Sequence, residues 1–505
     1  MVCKLSQRLL IIGLGFTGLF LLISGILLGP LVNMEVDQKL KKMMPLVKGT
    51  KTYNYWINPP IPIDFQLYFF HVVNPEEIVQ NGAKPVLEEK GPYTYRLIDT
   101  KENLTHHKNF TVSYNERNVY VFQRHLSVGD ENDTFTSLNL PLITATTLVT
   151  YEYAFIREMA KLFFDISQDA DLFVKHSVKD LLWGYTDPLL ATVKQLLHVF
   201  DIPFNDRFGF FYQLNNSIAN NYTVYTGEDN LDKISQFTQW DGKSKLTFWS
   251  SDTCNMINGT DGNIFHPHIK DTDQLYLFYP QICRSYMISF EKKGEFKGVR
   301  YSRFIMKDDV FASIKTNPEN AGFCTPRNKC LPSGLINNTE CRKGTPVIIS
   351  QPHFLGADQS VIDSFDGIRP NKDLHETYID LVPLIGNLVR TQRTIQINMF
   401  VEKSMYISQT KNINYFYFPV MYIKEKASLT DSLAAQFRDE LQNPLLIVFY
   451  AKYCCIGIGI VLLLLVAGYC LRIKIKAFKH EKKTESAIFD ATVNEHTKLL
   501  KNEKN

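Results

Sequence analysis

Cysteine and histidine are the side chains of this 505-residue chain with the most chemistry to offer, so their spacing is read first. Cys254, Cys283, Cys324, Cys330 and Cys341 cluster in the middle, while Cys3, Cys454, Cys455 and Cys470 lie in or beside apolar terminal runs. A zinc site would favour CxxC pairs or a following histidine pair at finger spacing, and the sequence has neither. The middle cysteines read instead as a disulfide-stapled region in an oxidising compartment. His266-Pro267-His268 offers two imidazoles without a third ligand nearby, so solvated loop histidines are the plainer reading. His375-Glu376 opens a zinc-protease helix but lacks the second histidine. No GxSxG elbow and no Walker A loop occurs. No catalytic residue, metal ligand or enzymatic cofactor is assigned. The formal charge of +3 gives no support to nucleic-acid binding.

Two further patterns concern address rather than catalysis. Seven Asn-x-Ser/Thr acceptors occur, at Asn103, Asn109, Asn132, Asn215, Asn221, Asn258 and Asn337. All lie between two long apolar runs, where they mark surface loops of a glycosylated, non-cytosolic body. Near the end, Glu495 stands four positions before Leu499-Leu500. An exposed, flexible tail of this kind offers two apolar side chains to a pocket on a clathrin adaptor, with the carboxylate meeting a basic patch. The bland alternative is a frayed amphipathic end.

These patterns need elements to place them. Residues 9–28 form an uncharged run of 20. At about 1.5 Å per residue it covers roughly 30 Å, the thickness of a bilayer core. A cleaved leader has a shorter apolar core and a small-residue cleavage site, so the run reads as an uncleaved anchor. Residues 445–471 form the second apolar run, followed by Arg472, Lys474, Lys476, Lys479, Lys482 and Lys483. That basic flank places the C-terminus in the cytosol. The expected layout is a cytosolic tail 1–8, a span 9–29, a lumenal or extracellular body 30–444, a span 445–471 and a cytosolic tail 472–505. Gly13, Gly15 and Gly18 make a formal GxGxxG inside the first span, where lipid excludes a dinucleotide; they read as close-packing positions. Cys3 and Cys470, near the cytosolic face, are either palmitoylation sites or unmodified thiols.

The 35 Phe and 25 Tyr suit a large strand-rich body. Residues 65–73, 119–123, 274–278, 287–290, 347–350 and 394–401 are aromatic or β-branched and read as strands. From 148 to 166 the apolar spacing turns helical, and further helices are expected over 178–185 and 188–199. The stripe of the first is either an ordinary core face or, because Ile156, Ala160, Phe163 and Phe164 widen it, a docking surface.

Taken together, Asn74-Pro75-Glu76-Glu77-Ile78, Gly91-Pro92-Tyr93-Thr94-Tyr95-Arg96, Leu182-Trp183-Gly184-Tyr185, Cys254-Asn255-Met256-Ile257-Asn258-Gly259-Thr260-Asp261, Cys283-Arg284-Ser285 and Pro352-His353-Phe354 give a sequence that resembles the class B scavenger receptor family. The resemblance implies an α+β fold: a large antiparallel β-barrel-like ectodomain, an apical helical bundle over about 145–200, an apolar tunnel and two flanking transmembrane helices. It implies bridges Cys283–Cys341 and Cys324–Cys330. Surface members carry a further cysteine where this chain has Gly322, which leaves Cys254 as a free, buried thiol. In lysosomal members an apical helix binds the hydrolase β-glucocerebrosidase. The matching residues are Ala154, Phe155, Ile156, Arg157, Glu158, Met159, Lys161, Leu162 and Phe163. Those members carry a pH-sensing histidine where this chain has Ala154, so His176 is the alternative sensor, or a satisfied ring with no sensing role. The implied function is a lysosomal membrane receptor that delivers a lumenal hydrolase through clathrin adaptors and passes cholesterol or phospholipid. The alternative is a cell-surface receptor for lipoproteins, fatty acids or anionic lipids. Oligomeric state stays open, a homo-oligomer included.

Overall fold

The computed structural model describes residues 2–151, 170–198, 201, 203–325, 330–404, 407–413 and 416–502. They belong to two compact units, Met1–Lys39 with Gln436–Asn505, and Leu40–Ala435.

The first unit holds the helix α1 (Val2–Met43) and the helix Asn443–Asn502. Both are long and apolar enough to cross a membrane. Glycines set their approach. A Cβ on Gly18 would lie 3.0 Å from Leu462 Cβ, and one on Gly25 would lie 2.7 Å from Ile456 Cγ1. Gly459 in turn abuts the Gly18 carbonyl and Leu22. Gly13 faces nothing within 4 Å. The C-terminal helix runs unbroken to Asn502 rather than giving way to a flexible tail. Its residues after Gly468 include no Gly or Pro and are rich in Lys, Glu and Ala, which favour helix.

The second unit is built on strands β1 (Ile63–Val72), β2 (Leu87–His107), β3 (Thr111–Phe122), β4 (Thr134–Leu138), β5 (Phe173–Ser177), β6 (Tyr185–Thr186), β7 (Arg207–Phe208), β8 (Ser217–Tyr225), β9 (Phe237–Trp240), β10 (Leu275–Tyr279), β11 (Arg284–Phe296), β12 (Val299–Met306), β13 (Ile336–Asn337), β14 (Val347–Ser350), β15 (Tyr378–Val382), β16 (Asn387–Val401) and β17 (Phe416–Ser428). One large antiparallel sheet takes the order β10-β11-β12-β15-β16-β17-β1-β2-β3-β8-β9, with β14 also paired to β16 and β13. It nearly closes. A strap at Gly259-Thr260 bridges its two edge strands: Phe237 N donates to Gly259 O (2.9 Å) on β9, while Thr260 N donates to Tyr276 O (3.1 Å) and Phe278 N to Thr260 O (3.1 Å) on β10. Gly259 has φ +100°, and a Cβ there would sit 2.2 Å from the Tyr276 carbonyl carbon, so only glycine fits. Closure of this kind removes exposed strand edges.

Register decides which side chains face inward. Phe65 pairs with Tyr95 and Glu425, Leu97 with Tyr120, and Lys101 with Glu116. Phe65, Tyr95 and Tyr120 meet Phe211 and Trp183 in one aromatic cluster, with ring centroids 5.1 to 6.1 Å apart across its contacts. Trp183 ends the short helix Val178–Trp183. Ser177 and Asp180 form a capping box at its start. The helix stops at Gly184, φ +109°, so Tyr185 opens β6 instead of extending the helix as its sequence suggested. The helix α4 (Leu140–Tyr151) follows α2 (Lys51–Ile57) and α3 (Pro75–Asn81) in the chain. The helix Pro188–His198 comes after β6.

Candidate functional site

Two polar clusters lie within the second unit, one on each face of the sheet. The inner cluster gathers Asp99 and Lys101 of β2, Glu116 of β3, Arg393 of β16, Glu425 of β17 and Asp261 of the strap. Lys101 is 2% exposed. Its Nζ lies 3.5 Å from Asp99 and 4.0 Å from Asp261, and 5.5 Å from the ring centres of both Trp56 and Tyr114. Arg393 pairs with Glu425 at 2.8 Å and donates from Nη1 to the Asp261 carbonyl (2.9 Å). Burial opposes the Lys101 charge, but Asp99, Asp261 and Glu116 outweigh it and raise the lysine pKa. Burial drives Glu116 the same way: its pKa is raised by desolvation and by Asp99, with Lys101 and Arg393 offsetting only part. Glu116 is therefore a carboxyl that holds its proton well above the usual carboxylate range. Next to these charges, the same face carries Phe65, Leu67, Phe69 and Met421, all buried.

The outer cluster is Glu89, His353, His375 and Tyr422. The two imidazoles stack with centroids 4.6 Å apart and planes 8° from parallel. Each is 4% exposed. His353 Nε2 meets Glu89 Oε2 at 2.5 Å, and Tyr422 donates to the same oxygen at 3.1 Å. The Glu89 side chain is 34% exposed, so the cluster reaches solvent at its rim. Ligand atoms of Glu89, His353 and His375 lie within 4.8 Å of one another, close enough for a metal ion. The tautomers oppose that use. Arg369 N donates to His353 Nδ1 (3.0 Å) and Asn371 N to His375 Nδ1 (3.1 Å), so each neutral ring carries its hydrogen on Nε2. A metal on Nε2 would require that hydrogen on Nδ1, where the backbone amides already point. The cluster is a hydrogen-bond network rather than a metal centre. Burial, then the neighbouring His353 and Lys424, push His375 down to about 4, with Glu89 opposing. For Glu89, burial works upward, but the His353 and Tyr422 hydrogen bonds and the histidine charges leave its pKa lowered. His353 and Phe354 both adopt left-handed backbone, φ +52° and +57°. Such positions are strained for non-glycine residues, and the His353 amide is held by Gln396 Oε1 at 2.7 Å.

The residues singled out in the sequence fall as follows. Cys283 is bonded to Cys341, and Cys324 to Cys330. Cys254 is buried and free. A Cβ on Gly322 would sit 2.5 Å from Cys254 Sγ, which shows why glycine there leaves the thiol without a partner. Asn103, Asn109, Asn132, Asn215 and Asn221 are exposed, and Asn258 and Asn337 half-buried. His176 on β5 is half-buried and stacks on Tyr185 at 3.8 Å. Burial lowers its pKa, with Asp180 and Asp187 opposing. Ala154, Phe155, Ile156, Arg157, Glu158, Met159, Lys161, Leu162 and Phe163 lie outside the described residues. Cys3 lies on α1 and Cys470, exposed, on the C-terminal helix, which also carries Glu495, Leu499 and Leu500. His268 lies in a turn at φ +58°, and no cluster of metal-ligating groups forms around His266-Pro267-His268 among the described residues.

Neither polar cluster was visible in the sequence. Lys101 and Glu116 belong to none of the motifs, and Glu89 is 264 positions from His353. The signals were indirect: Pro352-His353-Phe354 and His375-Glu376 stood out before their histidines had a role.

Comparison with known proteins adds the remaining information. A family model described as the CD36 family matches residues 16–470. Lysosome membrane protein 2 of Mus musculus is 39% identical over 450 residues, 88% of this chain and 92% of that protein. The protein of the same name in Homo sapiens is 36% identical over 450 residues, with the same coverage. Scavenger receptor class B member 1 of Bos taurus is 33% identical over 466 residues, 92% of this chain and 90% of that protein. A match that runs from within the first apolar helix to within the second, with the nearly closed sheet in the sequence between them, means that the chain belongs to the CD36 family, the class B scavenger receptors.

Proposed function

We propose that the protein is a two-pass lysosomal membrane receptor that carries a lumenal hydrolase and passes lipid, working by binding and transfer without covalent chemistry. The likeness to lysosome membrane protein 2 over 88% of the chain carries this reading. In it, residues 30–444 are lumenal and both tails cytosolic, in keeping with the basic flank after the second apolar run. Residues 154–163 dock the cargo, a β-glucocerebrosidase-like hydrolase, and Glu495 with Leu499 and Leu500 recruits clathrin adaptors. Cholesterol or phospholipid travels through the ectodomain interior. Support for the last step is the inner face itself, where apolar side chains adjoin the Lys101–Glu116–Arg393 charges, a lining suited to an amphiphile. His176, stacked and half-buried, acts as the sensor in place of the missing histidine at Ala154.

The test is capture of proteins and lipids on the full-length, detergent-solubilised protein at pH 7 and at pH 5. A lumenal hydrolase bound at pH 7 and released at pH 5, with co-purifying sterol or phospholipid, supports the reading. Retention at both pH values removes the His176 role, and recovery of neither hydrolase nor lipid removes the receptor itself. A second reading, a cell-surface lipoprotein receptor, is favoured by the 33% identity to scavenger receptor class B member 1. Steady-state location separates the two.

A further inference from the structure

The basic run that follows the second apolar span has a shape as well as a charge. Residues 472–494 are helical, and every one of them is exposed. Arg472, Lys476, Lys479 and Lys483 fall at intervals of four, three and four, so they form one ridge along the helix. Ile475, Phe478, Phe489 and Val493 fall along the neighbouring ridge. They are 47%, 59%, 69% and 49% exposed, respectively. Lys482 interrupts this apolar row, but its side chain lies back along it, with Nζ 5.1 Å from the Phe478 ring centre. Across residues 472–483, six basic side chains stand against one acidic one, Glu481. Glu481 and Glu485 lie on the opposite flank of the apolar row from the basic ridge.

This combination selects its partner. A second copy of the same helix would bring two basic ridges together along the seam, and like charges there oppose pairing. An anionic bilayer surface answers both features at once. The apolar side chains enter at the acyl boundary while the cationic heads stay among phosphates and carboxylates. Lying on that surface requires a bend at the end of the span. Residues 445–467 already cover about 34 Å at about 1.5 Å per residue, enough for a bilayer core of roughly 30 Å. Gly468 comes next, and a Cβ there would meet nothing within 4 Å. Glycine inside a helix is the least costly place to break it.

We propose that residues 472–493 dock as an amphipathic helix on the cytosolic leaflet, with an anionic phospholipid surface as the partner. Ile475, Phe478, Phe489 and Val493 enter the headgroup boundary, and Arg472, Lys476, Lys479 and Lys483 pair with headgroup phosphates and carboxylates. The leaflet named rests on the two-pass topology proposed above; the affinity for anionic lipid does not.

The experiment is amide hydrogen exchange, read by mass spectrometry, on the full-length protein in lipid nanodiscs. The discs are made of phosphatidylcholine alone or with roughly a third phosphatidylserine in both leaflets. Because both faces of a disc carry the same lipid, the result is independent of topology, which protease mapping on sealed vesicles tests separately. Exchange over residues 484–493 is expected to slow by about tenfold or more in the serine-containing discs, and the slowing to shrink at high salt. The triple variant Lys476→Gln, Lys479→Gln, Lys483→Gln should exchange alike in both discs, with exchange in β1 unchanged as the sign of a folded body. Equal exchange of the unaltered tail in the two discs overturns the proposal. So does slowing that the triple variant retains, or slowing seen only when two copies share a disc, which marks pairing of tails instead.

Discussion

His375 is neutral because its surroundings forbid the charge. Its Nδ1 takes the Asn371 amide, its face lies on His353, and Lys424 stands nearby. In the unfolded chain the same ring titrates at its ordinary value of about 6.5, whereas in the fold it resists protonation down to about 4. Between those values the unfolded state binds more protons, so stability falls as pH falls from 6.5 to 4 and levels off below. The loss between pH 7 and pH 5 is on the order of 2 kcal/mol. His375→Asn, which keeps an acceptor for the Asn371 amide, should flatten the stability profile across that window in denaturant titrations at pH 5, 6 and 7; an unchanged slope would remove His375 from the account. Cys254 offers a second residue-scale check. Given the 2.5 Å approach of a Gly322 Cβ to its sulfur, Gly322→Cys should consume the free thiol, seen as the loss of thiol labelling at Cys254 by mass spectrometry, at the cost of displacing Ser251, whose Oγ lies 2.2 Å from the same Cβ position. The sequence disclosed the reactive residue types well and their company poorly. Cys254, Cys324 and Cys330 could be singled out because few residue types share their chemistry. Glu89, His353 and His375 converge only after β2, the turn at 353 and the segment before β15 have folded, and no local spacing encodes that meeting.

At the scale of elements, the same contrast has a simple cause. Runs such as 65–73 and 394–401 lie almost entirely in β1 and β16, because alternating aromatic and β-branched side chains suit a half-buried pleat. The 21-residue strand β2 was hidden, since residues 87–107 include many charged side chains, of which Lys101 and its partners turn inward. The bridges are elements too. Cys283–Cys341 spans 58 positions and Cys324–Cys330 spans 6. Loop-closure entropy then predicts a loss of about 4 kcal/mol on removing the first and about 2 kcal/mol on removing the second. Paired Cys→Ser variants compared by thermal unfolding should show the larger drop for 283/341, and the reverse order would contradict an entropic origin. In the apolar unit, Gly25→Ile should weaken helix pairing, because its Cβ would meet Ile456 at 2.7 Å and the Lys452 carbonyl at 3.0 Å. Cysteine cross-linking between positions 15 and 466, where a Cβ on Gly15 would lie 3.9 Å from Val466 Cγ1, reads this directly, and undiminished cross-linking would argue against glycine-mediated contact. The C-terminal helix also bears on the proposed sorting signal, since Leu499 and Leu500 are carried on helix rather than on the flexible tail that their pattern suggests. Leu499→Ala with Leu500→Ala should move the protein to the cell surface by microscopy; an unchanged location would detach the motif from sorting.

At the scale of the whole second unit, the nearly closed sheet carries buried charge. Its two clusters respond to acid in opposite directions. His375 weakens the fold as pH falls, whereas Glu116, whose carboxyl keeps its proton when folded and releases it when unfolded, strengthens it over the range below its raised pKa. Glu116→Gln, permanently neutral, should therefore stabilise the protein more at pH 7 than at pH 5. In the proposed reading that body lies on the non-cytosolic side. The most direct measurement is glycan-site mapping on protein from sealed cell vesicles, combined with protease added outside them. The account predicts glycans on acceptors such as Asn103, Asn215 and Asn221, a body protected within the vesicle, and loss of residues 472–505 to the protease. Unmodified acceptors together with a digested body and an intact C-terminal tail would contradict it.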